Sequence, residues 1–528
     1  MAKERVARHQ LLNRVHFLRL VFRRAFVGCP ELSGRQCARV SGPAINNSKI
    51  ENHAKHSACT PVGSSDMANK LLRSLKQPVT NTCALRERAI AEYHELLAAD
   101  ETLTSATFEK LRSAMRKNRL LYGDRPIGIA LRPHLLDQKQ FRALTLSAER
   151  VTSALERVAA AVVQNPKLMG ELGLTEAERR MALVDPGFST AGITTRLDAF
   201  VRGEEIKFVE SNAENPSSLP DQEELNRLLF ELPVMACFAR RYRLRQFSPV
   251  ERLLETLLST YREWGGTGAP NIAILDWKDL PTSSEFVFLQ EYFSAHGVPT
   301  IICAPGDLAY QQGQLRCGAF RIDLVYKRVI IHEFLARYDD THPLIRAYVN
   351  HDVCLVNPFR CKIMHKKAVF EMLTDERHHD WFTSTEKEAI RRTVPWTRRL
   401  ADRKTTREGQ KILLLDFIRR NRSRLVLKPN DDYGGHGVHF GAQLDECEWD
   451  NAIQTALSAD YIVQDALDLH PELFPVFSET DWKLQPMFVD TNPFLFCGKV
   501  CGAMVRLSSS AIVNVTSGGG ETGFFVLQ

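Results

Sequence analysis

The sequence predicts a mixed α/β protein that begins with a helical region. Residues 85–180 carry apolar side chains at helical spacing. Between residues 271 and 356, short apolar strands alternate with helices, a pattern typical of a parallel sheet. Two strand pairs, near residues 200 and 430, also carry acidic, basic and glycine residues. These three observations predict an α/β (α+β) fold and mark the two strand pairs as candidate functional sites.

Composition and charge narrow the functional classes. The chain has 528 residues, 44% hydrophobic and 25% charged, as expected for a globular protein of about two to four domains. Residues 1–66 hold eleven Lys and Arg against four Asp and Glu, a net of +7, so the total of +6 leaves the rest at −1. Because the chain after residue 66 is nearly neutral, it lacks the excess of positive charge typical of nucleic-acid-binding proteins. The twelve cysteines show no repeated C-x-x-C spacing, which favours reduced thiols and a cytoplasmic location.

The first 66 residues are interpreted separately from the fold. Residues 11–27 are apolar but interrupted by arginines, so they provide neither a membrane span of about 20 residues nor the apolar core of a secretory signal. Their arginine-rich, acid-poor composition suits a mitochondrial presequence. The alternatives, which we favour, are a translation start at Met67 or a disordered basic extension.

The region from residue 85 to 180 is predicted to be helical. Apolar residues recur with the helical period in residues 85–99, 107–118 and 147–164. Thr175 is a predicted N-cap followed by acidic residues, and Asp185-Pro186-Gly187 ends that helix. No catalytic spacing occurs here, so this region is predicted to be a lid or buttress.

The strand pair near residue 200 carries three oxygen donors. Residues 197–201 and 206–209 are predicted strands, joined by a turn that contains Gly203. Such a hairpin brings Asp198 to Glu210 and Asn212, which are two residues apart and point to one face. Carboxylate and amide oxygens without Cys or His suit Mg²⁺ that carries a nucleotide phosphate. The alternative is a surface hairpin with ordinary acidic residues.

The middle of the chain is predicted to form a Rossmann-like sheet. The predicted helices are residues 221–232, 249–264 and 284–296, and the predicted strands are residues 272–275, 299–303, 321–325 and 353–356. Ligands bind beyond the carboxyl ends of such strands. Arg328 follows the third strand after Tyr326 and Lys327, and it either clamps a substrate carboxylate or belongs to a basic cluster at a sheet edge.

The strand pair near residue 430 has the composition of a phosphate-binding loop. Residues 425–427 form a predicted strand that Lys428-Pro429 closes, and a second strand starts at Val438. The loop between them contains Gly434, Gly435, His436 and Gly437. Lysine supplies positive charge, and glycines let backbone N–H groups approach phosphate oxygens. The chain contains no G-x-x-x-x-G-K-[ST], so this is not a P-loop, and an ordinary hairpin turn is the alternative.

Three further segments complete the prediction. Residues 357–420 are predicted to be helical and charged, with Lys366 and Lys367 leading into a helix over 365–373. A strand over 461–464 ends at Gln464 and Asp465, and a final strand pair turns at Gly498 and ends at Arg506. Residues 517–520 either close over phosphate or form a flexible linker.

The order of these motifs resembles the ATP-grasp enzymes, in the circularly permuted arrangement of the glutathionylspermidine synthase family. In that arrangement an Arg-x-Asp strand and a Glu-x-Asn strand precede a Lys-Pro strand. The matching residues are Arg196, Asp198, Glu210, Asn212 and Lys428. The resemblance spans about residues 185–528 and includes the segments 216–219, 365–368, 461–464 and 502–506 with Asn514.

The resemblance implies a circularly permuted ATP-grasp fold with a Rossmann-like pre-ATP-grasp domain and an N-terminal helical region. The implied divisions are a basic extension at 1–66, a helical region at 67–184, a metal-binding part of the ATP-grasp at 185–270, the pre-ATP-grasp domain at 271–356 and a nucleotide-binding part at 357–528.

The resemblance also implies the roles of individual residues, with ATP and Mg²⁺ as cofactors. Asp198, Glu210 and Asn212 are the implied metal ligands, and Arg196 and Arg506 face the transferring phosphoryl group. The implied nucleotide-binding residues are Lys367, Lys428, Gly434, Gly435, His436, Gly437, Gln464 and Asp465. Lys367 is selected over Lys366 because it precedes an alanine. His436 either donates a hydrogen bond to phosphate or only spaces the glycines, and we favour the spacer.

The implied activity is ATP-dependent carboxylate–amine ligation through an acyl phosphate. The expected partners are small-molecule or peptide carboxylate and amine substrates, without nucleic acid or membrane. The alternatives are a nucleotide-binding regulatory or scaffold protein, and a phosphotransferase without an amine acceptor. All three oxygen donors and both lysines are present, which favours an enzyme. The substrates and the oligomeric state stay open.

Overall fold

The structure, a computed structural model, describes residues 84–528. The expectations for residues 1–66 and for a start at Met67 lie outside this range. Sixteen α-helices form within it, and none of them combines the length and hydrophobicity of a membrane span. They are α1 (Ala84–Ala98), α2 (Ser105–Lys117), α3 (Gln138–Gln164), α4 (Pro166–Glu171), α5 (Glu176–Leu183), α6 (Leu219–Phe230), α7 (Pro233–Ala239), α8 (Pro249–Glu263), α9 (Ser283–Ala295), α10 (Ile331–Arg337), α11 (Pro343–Val349), α12 (Lys362–His365), α13 (Val369–Thr374), α14 (Ser384–Thr393), α15 (Leu414–Arg420) and α16 (Glu446–Ser458).

The described chain also contains twenty-four strands in seven sheets, which confirms the mixed α/β class. They are β1 (Leu121–Tyr122), β2 (Arg125–Pro126), β3 (His134–Asp137), β4 (Thr194–Arg202), β5 (Glu205–Asn212), β6 (Leu244–Arg245), β7 (Ile272–Leu275), β8 (Thr300–Cys303), β9 (Leu308–Gln311), β10 (Gln314–Cys317), β11 (Phe320–Ile322), β12 (Leu324–Lys327), β13 (Cys354–Val356), β14 (Thr397–Arg399), β15 (Lys404–Arg407), β16 (Gln410–Leu413), β17 (Leu425–Pro429), β18 (His439–Phe440), β19 (Tyr461–Asp465), β20 (Glu472–Phe477), β21 (Trp482–Phe496), β22 (Lys499–Ser508), β23 (Gly520–Thr522) and β24 (Phe524–Leu527). Short 3₁₀ segments are Pro305–Asp307, Phe359–Cys361, Glu376–Trp381, Arg422–Arg424 and Gly441–Gln443.

The predicted helical region is confirmed, and its longest helix starts earlier than expected. Helix α3 begins after Asp137, whose side chain accepts the N–H of Gln140 while the Gln140 side chain accepts the N–H of Asp137. This reciprocal capping box fixes the first turn, nine residues before the predicted start at residue 147. Thr175 caps α5 in the same way with Glu178, as predicted.

The predicted parallel sheet is present, in the strand order β13-β12-β7-β8. The prediction of one strand over residues 321–325 is wrong. Asp323 separates β11, which joins a three-stranded antiparallel sheet, from β12, because its backbone and carboxylate bond to Asn271. Tyr326 and Lys327 therefore lie inside a parallel strand, and Arg328 is the first residue beyond its carboxyl end.

A six-stranded sheet joins segments that are far apart in the sequence. Its order is β23-β22-β21-β4-β5, with β20 paired to β21, and the predicted hairpin is the β4–β5 pair. Residues 194–212 thus share one sheet with residues 472–522. The sheet supplies one wall of the cavity described below.

A four-stranded antiparallel sheet of order β14-β19-β17-β18 contains the predicted Lys-Pro strand. The prediction that residues 357–420 are helical is wrong in part, because β14, β15 and β16 lie there. Glu408 and Gly409 both have positive φ, 51° and 75°, and make the tight turn between β15 and β16. The sequence interpretation missed this turn signal.

The predicted helix over residues 365–373 is interrupted. Helix α12 ends at His365 and α13 starts at Val369. The backbone carbonyl of Asn430 accepts the N–H of Lys367, and its side-chain oxygen accepts the N–H of Ala368. These bonds replace helical ones, so Lys366 and Lys367 lie in a bend beside the glycine-containing loop.

Candidate nucleotide and substrate site

A cavity of about 600 Å³ is lined by residues of the six-stranded sheet, the four-stranded antiparallel sheet and the loops beyond the parallel sheet. All of the predicted site residues except Gly437 lie in its wall. The structure thus gathers side chains from six separate segments around one space. Their chemical roles stay predictions, whereas their common location is a property of the fold.

The strand register aligns charged side chains on one face of the six-stranded sheet, because directly opposite residues share a face. The opposite pairs are Asp198–Glu210, Arg196–Asn212, Arg196–Phe494, Asp490–Arg506 and Arg506–Glu521. Phe494 lies four residues from Asp490 on β21 and therefore on the same face. We call the polar residues of this set, from Glu210 on β5 to Glu521 on β23, the charged row.

The three predicted metal ligands converge in the charged row. The amide nitrogen of Asn212 lies 2.9 Å from Asp198 Oδ1 and 3.4 Å from Glu210 Oε1. Burial opposes ionisation of Asp198, but Arg196 and Arg506 hold its pKa well below the usual range. Two carboxylates and one amide in contact form an oxygen donor set that fits Mg²⁺. Rotation of the Asn212 side chain would present its oxygen to a metal.

The two predicted catalytic arginines contact the same carboxylate. Arg196 Nε lies 2.8 Å from Asp198 Oδ1, and an Arg506 terminal nitrogen lies 2.7 Å from Asp198 Oδ2. Arg506 also pairs with Asp490, which is 2% exposed. Burial opposes the charge of Arg506, yet Asp490 and Asp198 raise its pKa above the usual value. Both guanidinium groups are therefore fixed and charged beside the oxygen donors.

The adjacent lysines 366 and 367 point to different partners. Lys367 Nζ lies 2.7 Å from the carbonyl oxygen of Asp432 and 3.4 Å from Glu210 Oε2, at the cavity wall. Lys366 Nζ lies 2.6 Å from Asp431 and does not line the cavity. This placement supports the selection of Lys367 made from the sequence.

Lys428 lies at the cavity wall with its Nζ 2.8 Å from Gln464 Oε1. Burial lowers the pKa of Lys428 to about 8, although Glu210 opposes this shift. Gln464 also donates to Thr397 Oγ1 at 3.0 Å, so its side chain is fixed in the orientation that accepts from the lysine. Lys428 is therefore positively charged at neutral pH and loses its charge at a slightly higher pH.

The predicted glycine loop adopts left-handed backbone conformations. Gly434, Gly435 and Gly437 have φ of 69°, 75° and 66°. Gly434 and Gly435 line the cavity, and the Asn514 side chain donates to the carbonyl of Gly434 at 3.1 Å. Gly437 instead packs against Pro429 and Tyr461, where a Cβ atom would come within 2.6 Å of the Tyr461 hydroxyl. His436 is exposed at the cavity rim, a position compatible with the spacer role.

Gln464 and Asp465 end β19 at the cavity wall. The Asp465 N–H donates to the carbonyl of Trp396, and its carboxylate pairs with Arg407 at 2.7 Å. Both of these groups therefore already have partners within the protein. Apolar side chains surround this end of the cavity: Val209, Val426, Phe440, Leu467 and Leu469.

The opposite end of the cavity is acidic, which the sequence interpretation missed. We call this group the acidic end: Asp221, Asp276, Glu285 and Glu521, with Arg328 among them. Burial raises the pKa of Asp276 to about 6 and of Glu521 to about 7. Asp276 directly follows β7, and ligands bind beyond the carboxyl ends of such strands. The sequence could therefore have identified Asp276 as a candidate site residue. Glu521 lies in a three-residue strand that has no sequence signature.

Arg328, the suggested carboxylate clamp, is 2% exposed and is already engaged. One terminal nitrogen lies 3.3 Å from Glu285, and another donates to the carbonyl of Pro216. Its Nε, Glu285 Oε1 and Glu521 Oε2 have no hydrogen-bond partner among the described residues. Since buried polar atoms are normally satisfied, these three atoms give the acidic end unused hydrogen-bonding capacity.

A buried ion cluster supports the base of the glycine loop. Lys362 Nζ lies 2.6 Å from Glu214 and 2.7 Å from Asp431, and His365 faces both carboxylates at 3.8 Å. Although Glu214, His365 and Asp431 are close enough to share a cation, the Lys362 ammonium already lies between the carboxylates. The cluster therefore ties the end of β5 to the residues after β17.

Comparison with known proteins identifies the fold. No protein-family model and no curated protein matches the sequence. A solved structure of a glutathione synthetase-like effector from Globodera pallida matches with a TM-score of 0.50 and 13% identity, over 79% of this chain and 95% of that one. The chain has an ATP-grasp fold.

Two other solved structures are more remote. A putative gamma-glutamylcysteine synthetase from Methylobacillus flagellatus covers 72% of this chain and 86% of its own, at 10% identity and a TM-score of 0.36. The match to a RimK domain ATP-grasp protein from Sphaerobacter thermophilus covers 48% of this chain and 89% of that one, at 14% identity and a TM-score of 0.24. The expected ATP-grasp fold is confirmed. The circularly permuted glutathionylspermidine synthase arrangement stays a prediction.

Proposed function

We propose that this protein is a Mg²⁺- and ATP-dependent ligase that joins a carboxylate to an amine. The observation that carries the proposal is the charged row, which places oxygen donors, two arginines and Glu521 along one wall of a single cavity. The cavity is apolar and lysine-bearing at one end and acidic at the other. A nucleotide and a cationic substrate fit these ends respectively.

The nucleotide end suits ATP in shape and charge. Apolar side chains from β5, β17 and β18 suit a purine base. Lys428 and Lys367 lie between this end and the oxygen donors, where they would neutralise phosphate charge. Gly434 and Gly435 line the cavity without side chains, so phosphate oxygens could approach the loop backbone there.

The centre of the charged row suits phosphoryl transfer. Asp198, Glu210 and Asn212 would hold Mg²⁺, which when bound neutralises charge on the nucleotide phosphates. Arg196 and Arg506 are held in place before any substrate binds, so they need little reorganisation to stabilise the charge of the transferring group. A carboxylate oxygen placed here accepts the γ-phosphoryl group, and ADP leaves.

The acidic end suits the amine. An alkyl amine arrives as an ammonium ion near neutral pH, and carboxylates attract it while they repel a second anionic substrate. Burial is the main cause that raises the pKa of Asp221 well above its usual value, and the nearby carboxylates of Glu521 and Glu285 raise it further. An ammonium ion between them would relieve this repulsion. The amine then attacks the acyl phosphate formed next to Arg506.

A hydroxamate assay tests the proposal without knowledge of the natural amine. The protein is incubated with ATP, Mg²⁺, hydroxylamine and one carboxylate from a set chosen from the names of the similar proteins: glutathione, γ-glutamylcysteine and glutamate. We expect ADP release and an acyl hydroxamate with at least one of them. Arg506→Lys should abolish both products, whereas the exposed-site variant Arg420→Lys should not.

The same assay separates the alternatives. Nucleotide binding without ADP release for any carboxylate contradicts the ligase and favours a regulatory nucleotide-binding protein. ADP release with a phosphorylated product and no hydroxamate favours a phosphotransferase. Amide products are then sought with glycine, ethylamine and spermidine as amines.

A further inference from the structure

We propose that Glu521 is the general base that removes the proton from the incoming amine, an inference that rests on the ligase function proposed above. Glu521 lies on β23 directly opposite Arg506 on β22. Adjacent strands are about 5 Å apart, so its side chain lies one strand away from the arginine that faces the phosphoryl group. The residue is therefore close to the position where an amine would meet an acyl phosphate.

The two carboxylate oxygens of Glu521 have different environments. Oε1 accepts a hydrogen bond from Ser218 Oγ at 2.9 Å, which fixes the orientation of the group. Oε2 is buried, has no hydrogen-bond partner among the described residues and belongs to a side chain in the cavity wall. One oxygen is thus anchored and the other is available to accept a proton.

Charged groups from five neighbouring elements surround this carboxylate. They are Asp221 on α6, Glu285 on α9, Asp490 on β21, Arg506 on β22 and Arg196 on β4. Burial is the main cause that raises the pKa of Glu521 to about 7, while Ser218 and the two arginines oppose the shift. A base is most effective when its pKa lies near the working pH, because it is then both available and basic.

The proposed step balances in atoms and charge. The ammonium ion gives one proton to Glu521 Oε2 and becomes a neutral amine. The nitrogen lone pair forms the C–N bond to the acyl carbon while the C–O bond to phosphate breaks and phosphate takes that electron pair. The second nitrogen proton leaves with the phosphate, and Glu521 returns its proton to solvent.

Hydroxylamine and alkyl amines distinguish this role from a structural one. Hydroxylamine is largely unprotonated near neutral pH and needs no base, whereas ethylamine and spermidine arrive as ammonium ions. With the carboxylate that is active in the hydroxamate assay, Glu521→Gln should lower hydroxamate formation much less than it lowers amide formation. Amide formation should fall about 100-fold or more, the usual contribution of a general base. Glu446→Gln, on the exposed face of α16, is the charge-matched control and should change neither product.

A second variant keeps the test valid if Glu521→Gln folds poorly. Ser218→Ala removes the hydrogen bond that favours the ionised form of Glu521, so its pKa should rise and the acid limb of the amide-forming rate should move to higher pH. An unshifted limb in Ser218→Ala, or equal loss of hydroxamate and amide in a folded Glu521→Gln protein, overturns the proposal. Absence of hydroxamate in the wild-type protein instead contradicts the ligase function itself, and the base role with it. Hydroxamate without any amide from the three amines also contradicts the base role.

Discussion

Arg506 and Asp490 lie directly opposite each other on neighbouring strands and form a two-point ion pair. The Asp490 carboxylate accepts from Arg506 Nε at 2.9 Å and from a terminal nitrogen of the same guanidinium. It also accepts the Arg506 backbone N–H and the Asn492 side-chain amide. Arg506 is thereby held toward Asp198 and the cavity before any substrate is present.

Asp490→Asn should lower kcat by about 10-fold or more, because one charge-assisted pair contributes about 1.5–3 kcal/mol. The KM for ATP should change less than kcat does. The wild-type rate should also fall as pH drops through about 6, the value to which burial raises the pKa of Asp490, since protonation weakens the pair. Steady-state kinetics against pH measure both effects. Asp450→Asn, which alters an exposed Asp–Arg pair, is the control. A variant with wild-type kcat shows that Asp490 does not position Arg506.

Glu210→Ala should weaken Mg²⁺-dependent ATP binding by about 10- to 100-fold, because it removes a charged ligand from the oxygen donor set. Binding of ATP in the presence of a chelator should change much less. Isothermal titration calorimetry with and without Mg²⁺ measures the difference. Glu204→Ala, at the exposed tip of the same hairpin, is the matched control. Unchanged Mg²⁺-dependent affinity in a folded Glu210→Ala protein rules out the predicted metal site.

Affinity for ATP should decline as pH rises through about 8 in the wild-type protein. Burial lowers the pKa of Lys428 to about 8, so the side chain is an ammonium below this pH and loses its charge above it. Lys428→Arg stays charged throughout this range and should show no such decline. The dissociation constant of a fluorescent ATP analogue, measured against pH for both proteins, provides the comparison. Parallel pH dependence in the two would assign the effect to another group.

Gly435→Val should impair nucleotide binding or turnover far more than Gly409→Val does. Both glycines have φ of 75°, so the backbone strain of the substitution is matched. A Cβ atom at 435 comes within 3.0 Å of Asn514 and Ile512 at the cavity wall, whereas nothing lies within 4 Å of one at 409. Thermal melting of both variants, together with ADP release, separates strain from function. Similar losses in the two would show that the loop has no specific role at the phosphates.

Local patterns were sufficient to predict the elements that carry the charged row and the nucleotide end. Alternating strands, the turn at Gly203 and the Lys428-Pro429 strand end are short-range signals, and the structure contains each of them. The spacing of Glu210 and Asn212 on one strand also determined their shared face. The resemblance to a family supplied the grouping of distant motifs that no local pattern contains.

Apart from Asp276, the acidic end and the ion cluster were beyond the reach of local patterns. Asp221, Glu285 and Glu521 lie on three elements that meet only through tertiary packing. Asp431 had no role in the sequence interpretation, but in the structure it pairs with the buried Lys362 and Lys366, and Lys362 joins it to Glu214. The break between α12 and α13 depends on Asn430, which is more than sixty residues away in the sequence. Each of these features is set by long-range contacts.

The six-stranded sheet has a consequence for how this protein is made. Strands β4 and β5 leave the ribosome long before β21, β22 and β23, with which they share the sheet. Contacts of such large sequence separation close slowly, and domains generally form during synthesis only when all of their segments have emerged. The nascent chain therefore holds Asp198 and Glu210 without Arg506 until β22 has been translated. Premature termination before β22 leaves a chain that lacks Arg506 and Glu521 and has an unpaired β21 edge prone to aggregation.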